Sequence, residues 1–140
     1  MRVVLDTNVY LSALMSPAGP PARIVELWLE GRFEVIVSDP IEAEILDGLG
    51  RERIRRYLRR SPDWIDRFLR ALRQATLRVE PVIVDVIPQD PPDNLIIGTA
   101  IAAGADYLVS GNKHVLDLGS YDRVQIVTPR HFLDVLDTST

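Results

Sequence analysis

The chain has 140 residues, of which 46% are hydrophobic and 26% charged, as is typical of one globular domain and not of a disordered chain. It has no cysteine, which excludes disulfides, thiolate metal sites and a cysteine nucleophile. It opens with no signal-peptide pattern, and no apolar run approaches about 18 residues, so we expect no membrane span and a cytoplasmic location.

The charge is distributed unevenly along the chain. The net charge is −4, but residues 51–78 carry ten arginines against three acidic residues, a local charge of +7. The remainder of the chain therefore carries −11. This asymmetry predicts a basic surface on an otherwise acidic molecule.

The first part of the chain alternates short apolar runs with amphipathic ones. In chain order the pattern predicts a strand, two helices, a strand and a helix, at residues 2–5, 8–15, 22–31, 33–37 and 38–50. The last of these helices is predicted to have Asp39 as its N-cap and Pro40 at its first position.

The arginine-rich segment and the rest of the chain continue this alternation. Ser61-Pro62 divides the arginine-rich segment into two predicted helices. A strand, a helix, two strands and a closing helix follow, within 79–87 and at 89–105, 106–110, 124–128 and 129–136. The helix at 89–105 is predicted to be capped by Asp90.

Short apolar strands separated mostly by helices are typical of an α/β domain. We predict a single domain over residues 1–140, a three-layer α/β/α sandwich with a central, mainly parallel sheet.

Polar side chains follow several of the predicted strands. Asp6 comes directly after the first strand, the helix after the second carries Glu42 and Glu44, and Asp93 opens a later helix. Residues 110–112, Ser-Gly-Asn, follow the strand at 106–110. Since the carboxyl ends of parallel strands share one edge, we expect these groups to meet there. Asp106 precedes its strand and is expected at the opposite edge, in a structural role.

Carboxylates gathered at one edge repel one another, by roughly 4 kcal/mol per pair at 4 Å in an effective dielectric near 20. A divalent cation removes that cost, and oxygen ligands favour Mg²⁺ or Mn²⁺ over zinc. Such an ion polarises a phosphodiester and lowers the pKa of bound water. The sequence therefore predicts a metal site that includes Asp6.

Several of these residues also have a structural explanation. Asp93 lies in a first helical turn, where acids are favoured without any function. Helical spacing does not separate Glu42 from Glu44, either of which is also explained as a solvated helix residue. Thr7 and Asn8 are explained as caps of the following helix. The two histidines, at 114 and 131, are expected on the surface.

Three stretches together resemble a PIN domain of the kind found in VapC-type toxins. They are VVLDTNVYLSAL, VSDPIEAEILDGL and DPPDNLIIGTAIAAGADYLVSGNKHVL, which stand in the family's order, and the resemblance extends over essentially the whole chain. The resemblance implies a metal-dependent ribonuclease, an antitoxin protein as partner, and a homodimer.

The resemblance also implies which residues form the site. Its acidic positions match Asp6, Glu44 and Asp93, with Glu44 favoured over Glu42 because it lies six residues after Ser38. The fourth position, usually an aspartate, is Asn112, which can ligate a metal or hold a water but brings no charge. Thr7, Asn8 and Ser110 are its expected supporting residues.

Three functions compete at this point. The first is a Mg²⁺- or Mn²⁺-dependent endoribonuclease, and the second is a PIN-like module that binds RNA or protein without cleavage. The third, a phosphotransfer domain, expects additional acids near Asp6 that are absent. Arginines 55, 56, 59 and 60 are candidate RNA-phosphate contacts, with a solvated face or an acidic protein partner as the alternatives.

Overall fold

The computed structural model describes residues 1–87 and 91–138. Its strands are β1 Arg2–Leu5, β2 Glu34–Val37, β3 Thr76–Arg78, β4 Tyr107–Val109, β5 Ser120–Tyr121 and β6 Val124–Val127. Its helices are α1 Thr7–Met15, α2 Pro20–Leu29, α3 Asp39–Gly50, α4 Glu52–Arg56, α5 Pro62–Gln74, α6 Pro91–Ala102, α7 Lys113–Leu116 and α8 Pro129–Thr138. No helix in the described part is long and apolar enough to cross a membrane.

The strands form one sheet with the order β3-β2-β1-β4-β6-β5. All neighbouring pairs are parallel except β5 with β6, which is antiparallel. The predicted α/β class with a mainly parallel sheet is confirmed. The chain moves from β1 to β2 and β3 on one side, and then returns to add β4 on the other. This reversal of direction is where α/β sheets place ligands, beyond the carboxyl ends of the strands.

The central strand β1 lies at the heart of the core. Val3, Val4 and Leu5 have no exposed surface, because β2 and β4 flank the strand and α6 packs against β1, β2 and β4. Burial of apolar surface on this scale is the main stabilising contribution to such a domain, at roughly 25 cal/mol per Å². A polar residue that directly follows β1 is therefore held on a rigid support.

The predicted strand within 79–87 is wrong. The ladder to β2 is made three residues earlier, by β3, and ends where Val79 N–H donates to the Val37 carbonyl at 3.0 Å. Pro81 then lacks a donor, and Val82 N–H donates instead to the Gly98 carbonyl on α6 at 3.1 Å. Contacts with α6 thus replace strand pairing along this connecting segment (residues 79–87).

The ends of several helices also differ from the sequence pattern. The N-cap of α3 is Ser38 and not Asp39, whose carboxylate lies 2.7 Å from Arg78 instead. The division at Ser61-Pro62 is confirmed, since the Ser61 hydroxyl accepts the Trp64 N–H at 3.1 Å and caps α5. The predicted cap Asp90 lies outside the described residues.

Helix α7 and strand β5 were not predicted. Each is too short to give a periodic pattern, with four and two residues. Strand β5 forms a hairpin with β6 through Asp122 and Arg123, whose φ angles are 46° and 72°. Two adjacent residues with positive φ are typical of the tight turns that join antiparallel strands.

Candidate active site

Asp6 and Ser110 meet because adjacent strands end together. Leu5 is in register with Val109, and the backbone N–H of Asp6 donates to the Val109 carbonyl at 2.9 Å. The Ser110 hydroxyl then donates to Asp6 Oδ2 at 2.7 Å. The Asp6 residue is only 4% exposed. Burial raises the pKa of its carboxyl, and the charge of Glu44 adds to this, while the Ser110 hydrogen bond opposes it.

Glu44 is held by Thr7, which does not cap α1 as the sequence suggested. Thr7 is the first residue of α1, and its hydroxyl donates to Glu44 Oε2 at 2.8 Å. Glu42 lies elsewhere, with its carboxylate 3.1 Å from Arg78. The structure therefore places Glu44, and not Glu42, beside Asp6. Asn8 makes no side-chain cap for α1 and is exposed.

The third carboxylate, Asp93, likewise accepts a hydrogen bond from a neutral side chain, that of Asn112. Asp93 lies buried in the first turn of α6, and Asn112 Nδ2 donates to its Oδ2 at 3.0 Å. The Asn112 carbonyl oxygen, which is the atom expected to face a metal, accepts the His114 N–H at 2.9 Å and caps α7. In this arrangement Asn112 orients Asp93 and is not itself directed to a metal.

A buried hydrogen bond that the sequence did not suggest fixes the position of α6. The Ser38 and Thr99 hydroxyls lie 2.8 Å apart, which ties α6 to the end of β2. Ser38 directly precedes α3, which carries Glu44, and Thr99 lies on α6, which carries Asp93. The same contact therefore fixes the position of α3 relative to α6. The available signal was Thr99, a polar residue within the apolar run of α6 that follows Asn94.

The three carboxylates line one pocket of about 240 Å³ at the carboxyl edge of the sheet. Its walls are Asp6, Thr7, Asn8, Leu11, Glu44, Arg51, Pro92, Asp93, Ile96 and Asn112. Asp106 lies at the opposite edge as predicted, where its carboxylate accepts the Arg2 N–H at 2.8 Å. Both histidines are exposed, also as predicted.

Among the described residues, Arg51 is the one basic residue on the wall of this pocket, and sequence reasoning missed its place there. Its guanidinium lies 3.0 Å from Asp47, one helical turn earlier, and its side chain is largely exposed. The available signal was spacing, since Arg51 follows Glu44 by seven residues, or two helical turns, and so falls on the same face. A phosphate that enters the pocket would meet this guanidinium.

The carboxylates of the pocket fit a divalent cation that keeps several of its water ligands better than one bound by protein ligands alone. Within the described ranges, no three His, Cys, Asp or Glu side chains converge closely enough to hold one ion. Mg²⁺, however, keeps several waters and binds through one or two carboxylates. The pocket offers only oxygen ligands of this kind, and one of them, Asp6, is buried as a carboxylate that a cation would stabilise.

The four candidate RNA contacts do not share one environment. Arg55, Arg56 and Arg59 are exposed, and Arg56 pairs with Glu52 at 3.1 Å. The Arg60 side chain is only 9% exposed: it donates to the Ala13 carbonyl and lies 4.1 Å from the centre of the Trp64 ring. Arg60 is therefore a structural residue and is not available to RNA.

Comparison with known proteins gives the family. A family model described as PIN domain matches residues 2–114. The chain belongs to the PIN domain family. The match covers each of the pocket residues, so Asp6, Glu44, Asp93 and Asn112 all lie within the PIN domain.

Two similar proteins extend this result. An uncharacterized protein of Methanocaldococcus jannaschii, MJ1680, is 27% identical over 142 residues, which span 96% of this chain and 90% of the relative. A chain from the crystal structure of VapBC2 of Rickettsia felis, bound to a DNA fragment from its promoter, superimposes with a TM-score of 0.60. That likeness covers 91% of this PIN domain and 98% of the other chain at 16% identity, and so shows the shared fold.

Proposed function

We propose that this PIN domain is a Mg²⁺- or Mn²⁺-dependent endoribonuclease and the toxin component of a toxin–antitoxin pair. The observation that carries the proposal is the pocket at the carboxyl edge of the sheet. Three carboxylates from three different elements line it, and each accepts a hydrogen bond from a neutral side chain: Ser110 to Asp6, Thr7 to Glu44, and Asn112 to Asp93.

Each of these residues has a distinct role in the proposal. Asp6, Glu44 and Asp93 would hold a hydrated metal ion, in part through its bound waters, and that ion would supply polarisation of the phosphodiester and a lowered pKa of the attacking water. Ser110, Thr7 and Asn112 fix the orientation of the carboxylates, so that little reorganisation is needed during reaction. Arg51 attracts a backbone phosphate that three carboxylates would otherwise repel.

The partners follow from the same proposal. The fold is shared with a chain of VapBC2, which supports an antitoxin protein as a partner of this chain. RNA is the proposed substrate, the cytoplasm the proposed location, and a homodimer the proposed assembly.

A second candidate function is a PIN-like module that binds RNA or protein without cleaving. One observation favours it: the family's fourth acidic position is Asn112, which brings no charge and uses its carbonyl oxygen to cap α7. The site then carries three negative charges in place of four, and its affinity for a cation is lower.

Cleavage of a fluorescent single-stranded RNA, with Mn²⁺ or with EDTA, tests the proposal. We expect the wild type to cleave only with Mn²⁺ and Asp6→Asn to lose at least a hundredfold in rate. Asp106→Asn is the matched control, because it removes the same charge at the opposite edge and keeps an acceptor for Arg2. Cleavage by Asp6→Asn at the wild-type rate excludes the proposed site, and RNA binding without cleavage supports the binding module.

A further inference from the structure

Gly48 lies buried in the last turns of α3, where glycine is an unfavourable residue. Glycine loses more conformational freedom on folding than alanine does, so it weakens a helix. Gly48 does not adopt the positive φ angle that favours glycine at the end of a helix, and α3 continues beyond it to Gly50. Packing against this position is the remaining physical reason for a glycine.

The side chain of Leu11 fills the space that a side chain at position 48 would need. A Cβ atom placed on Gly48 would lie 2.8 and 2.9 Å from the two Cδ atoms of Leu11 and 3.5 Å from its Cγ. Carbon atoms that are not bonded to each other prefer a separation of roughly 3.5–4.0 Å, so the two shorter distances are strongly repulsive. Gly48 therefore allows Leu11, on α1, to pack directly on the backbone of α3.

A second contact between α1 and α3 lies one helical turn away. Thr7 and Leu11 are four residues apart on α1, and Glu44 and Gly48 are four residues apart on α3, so each pair shares one face of its helix. The Thr7 hydroxyl donates to Glu44 Oε2 at 2.8 Å, while Leu11 packs on Gly48. The close approach of the two helices at Gly48 thus supports the hydrogen bond that orients Glu44.

Leu11 also belongs to the wall of the candidate active site. It lines the same pocket as Asp6, Glu44 and Asp93, and is otherwise buried, with 6% of its surface exposed. The same side chain therefore borders both Gly48 and the pocket. Among the described residues, the three atoms nearest to an added Cβ at position 48 all belong to this flexible side chain, and the pocket is the open space into which it can move.

We propose that Gly48 is a positioning residue of the active site, which keeps Leu11 back against α3 and so keeps the pocket open for a hydrated divalent cation. A larger residue at position 48 would turn Leu11 towards the carboxylates. Its methyl groups would then displace water ligands of the ion, each of which takes about 30 Å³, in a pocket of about 240 Å³. The inference rests on the proposed function only through its metal ion.

Isothermal titration calorimetry with Mn²⁺ tests this role. We expect Gly48→Ala to weaken Mn²⁺ binding at least tenfold. Gly50→Ala is the matched control, because it makes the same change two residues further along α3, where the residue is exposed and no described atom lies within 4 Å of an added Cβ. Its affinity should stay within twofold of the wild type. Circular dichroism in EDTA checks that both variants are folded at the temperature of the titration.

Removal of the Leu11 side chain beyond its Cβ gives the sharper test. In a Leu11→Ala background the atoms that an added Cβ would displace are absent, so Gly48→Ala should weaken Mn²⁺ binding less than threefold relative to Leu11→Ala alone. Leu11→Val, which lacks both Cδ atoms, takes the place of Leu11→Ala if that variant does not fold. An equal loss in both backgrounds, wild-type affinity in Gly48→Ala, or a Gly48→Ala protein that does not fold would each overturn the inference.

RNA cleavage by the wild type in Mn²⁺ separates this inference from the proposed function. A wild type that binds Mn²⁺ but leaves RNA intact contradicts the nuclease, while the affinities of the Gly48 variants still decide the role of Gly48. A wild type that binds no Mn²⁺ overturns both.

Discussion

At the residue scale, burial of the ionised Asp6 carboxylate is unfavourable for the folded protein. Its carboxyl follows a fully buried strand and keeps little contact with water, so burial raises its pKa above the usual value of 3.8. The Ser110 hydroxyl recovers part of the lost solvation but brings no charge. Without a cation, ionised Asp6 therefore destabilises the folded protein relative to a neutral side chain.

This cost predicts a pH-dependent gain in stability for Asp6→Asn in EDTA. Between pH 3.8 and the raised folded pKa, the folded wild type retains a proton that the unfolded chain has lost, so rising pH lowers its stability. Asparagine cannot ionise and lacks this component. The advantage of the variant in free energy of unfolding should grow from about pH 4 upward and then level off, in urea titrations across the range. An advantage that is constant or shrinks with pH would contradict this.

Arg51 is a second residue whose effect can be isolated. Arg51→Gln should weaken binding of single-stranded RNA and raise KM about tenfold, because the substrate loses a charge-assisted contact at the pocket wall. Arg53→Gln removes the same charge two residues away, outside the pocket, and should have a much smaller effect. Fluorescence anisotropy in EDTA and initial rates in Mn²⁺ measure the two quantities. Equal effects of the two variants would assign Arg51 to general surface charge.

At the scale of elements, α4 and its flanking turn present the exposed part of the arginine-rich segment. If Arg55, Arg56 and Arg59 contact RNA phosphates, each should contribute about −0.7 to the slope of log K against log salt for single strands. Changing all three to glutamine should flatten that slope by roughly two units. An unchanged slope would leave a protein partner as the role of this surface.

Arg60 differs from these three residues because its side chain is largely buried. Its guanidinium donates to Ala13 and stacks on Trp64, with Glu26 at 3.5 Å. Arg60→Gln should therefore lower the free energy of unfolding by roughly 1–3 kcal/mol and leave the salt slope unchanged. Urea unfolding and anisotropy separate the two effects.

At the scale of the whole molecule, metal binding and folding are linked. Asn112→Asp removes the donor to Asp93 and adds a fourth carboxylate to the site, so we expect a lower melting temperature in EDTA. Mn²⁺ should raise the melting temperature of both proteins, and more for the variant, since an ion at 100 times its Kd contributes about 2.7 kcal/mol. Gln125→Glu adds the same charge on β6, away from the site, and serves as control. An Mn²⁺ effect equal in all three would remove residue 112 from the site.

Local patterns in the sequence were sufficient for the fold class and for part of the site. Apolar runs and breaker residues indicated four of the six described strands, β1, β2, β4 and β6, and the position of Asp6 at the end of β1. These features depend on periodicity, which is encoded within a few neighbouring residues. The parallel order of the sheet then brings the strand ends to one edge, so the general location of the site also followed.

Only the tertiary structure decided what each side chain contacts. Glu44 lies beside Thr7, Asn112 holds Asp93, and Arg60 is buried, because elements far apart in sequence pack together. The apolar residues of the connecting segment have the composition of a strand, yet Gly98 and Asn94 bind this segment to α6. Local propensity is a weak preference, and hydrogen bonds and packing between distant residues override it when they offer more stabilisation.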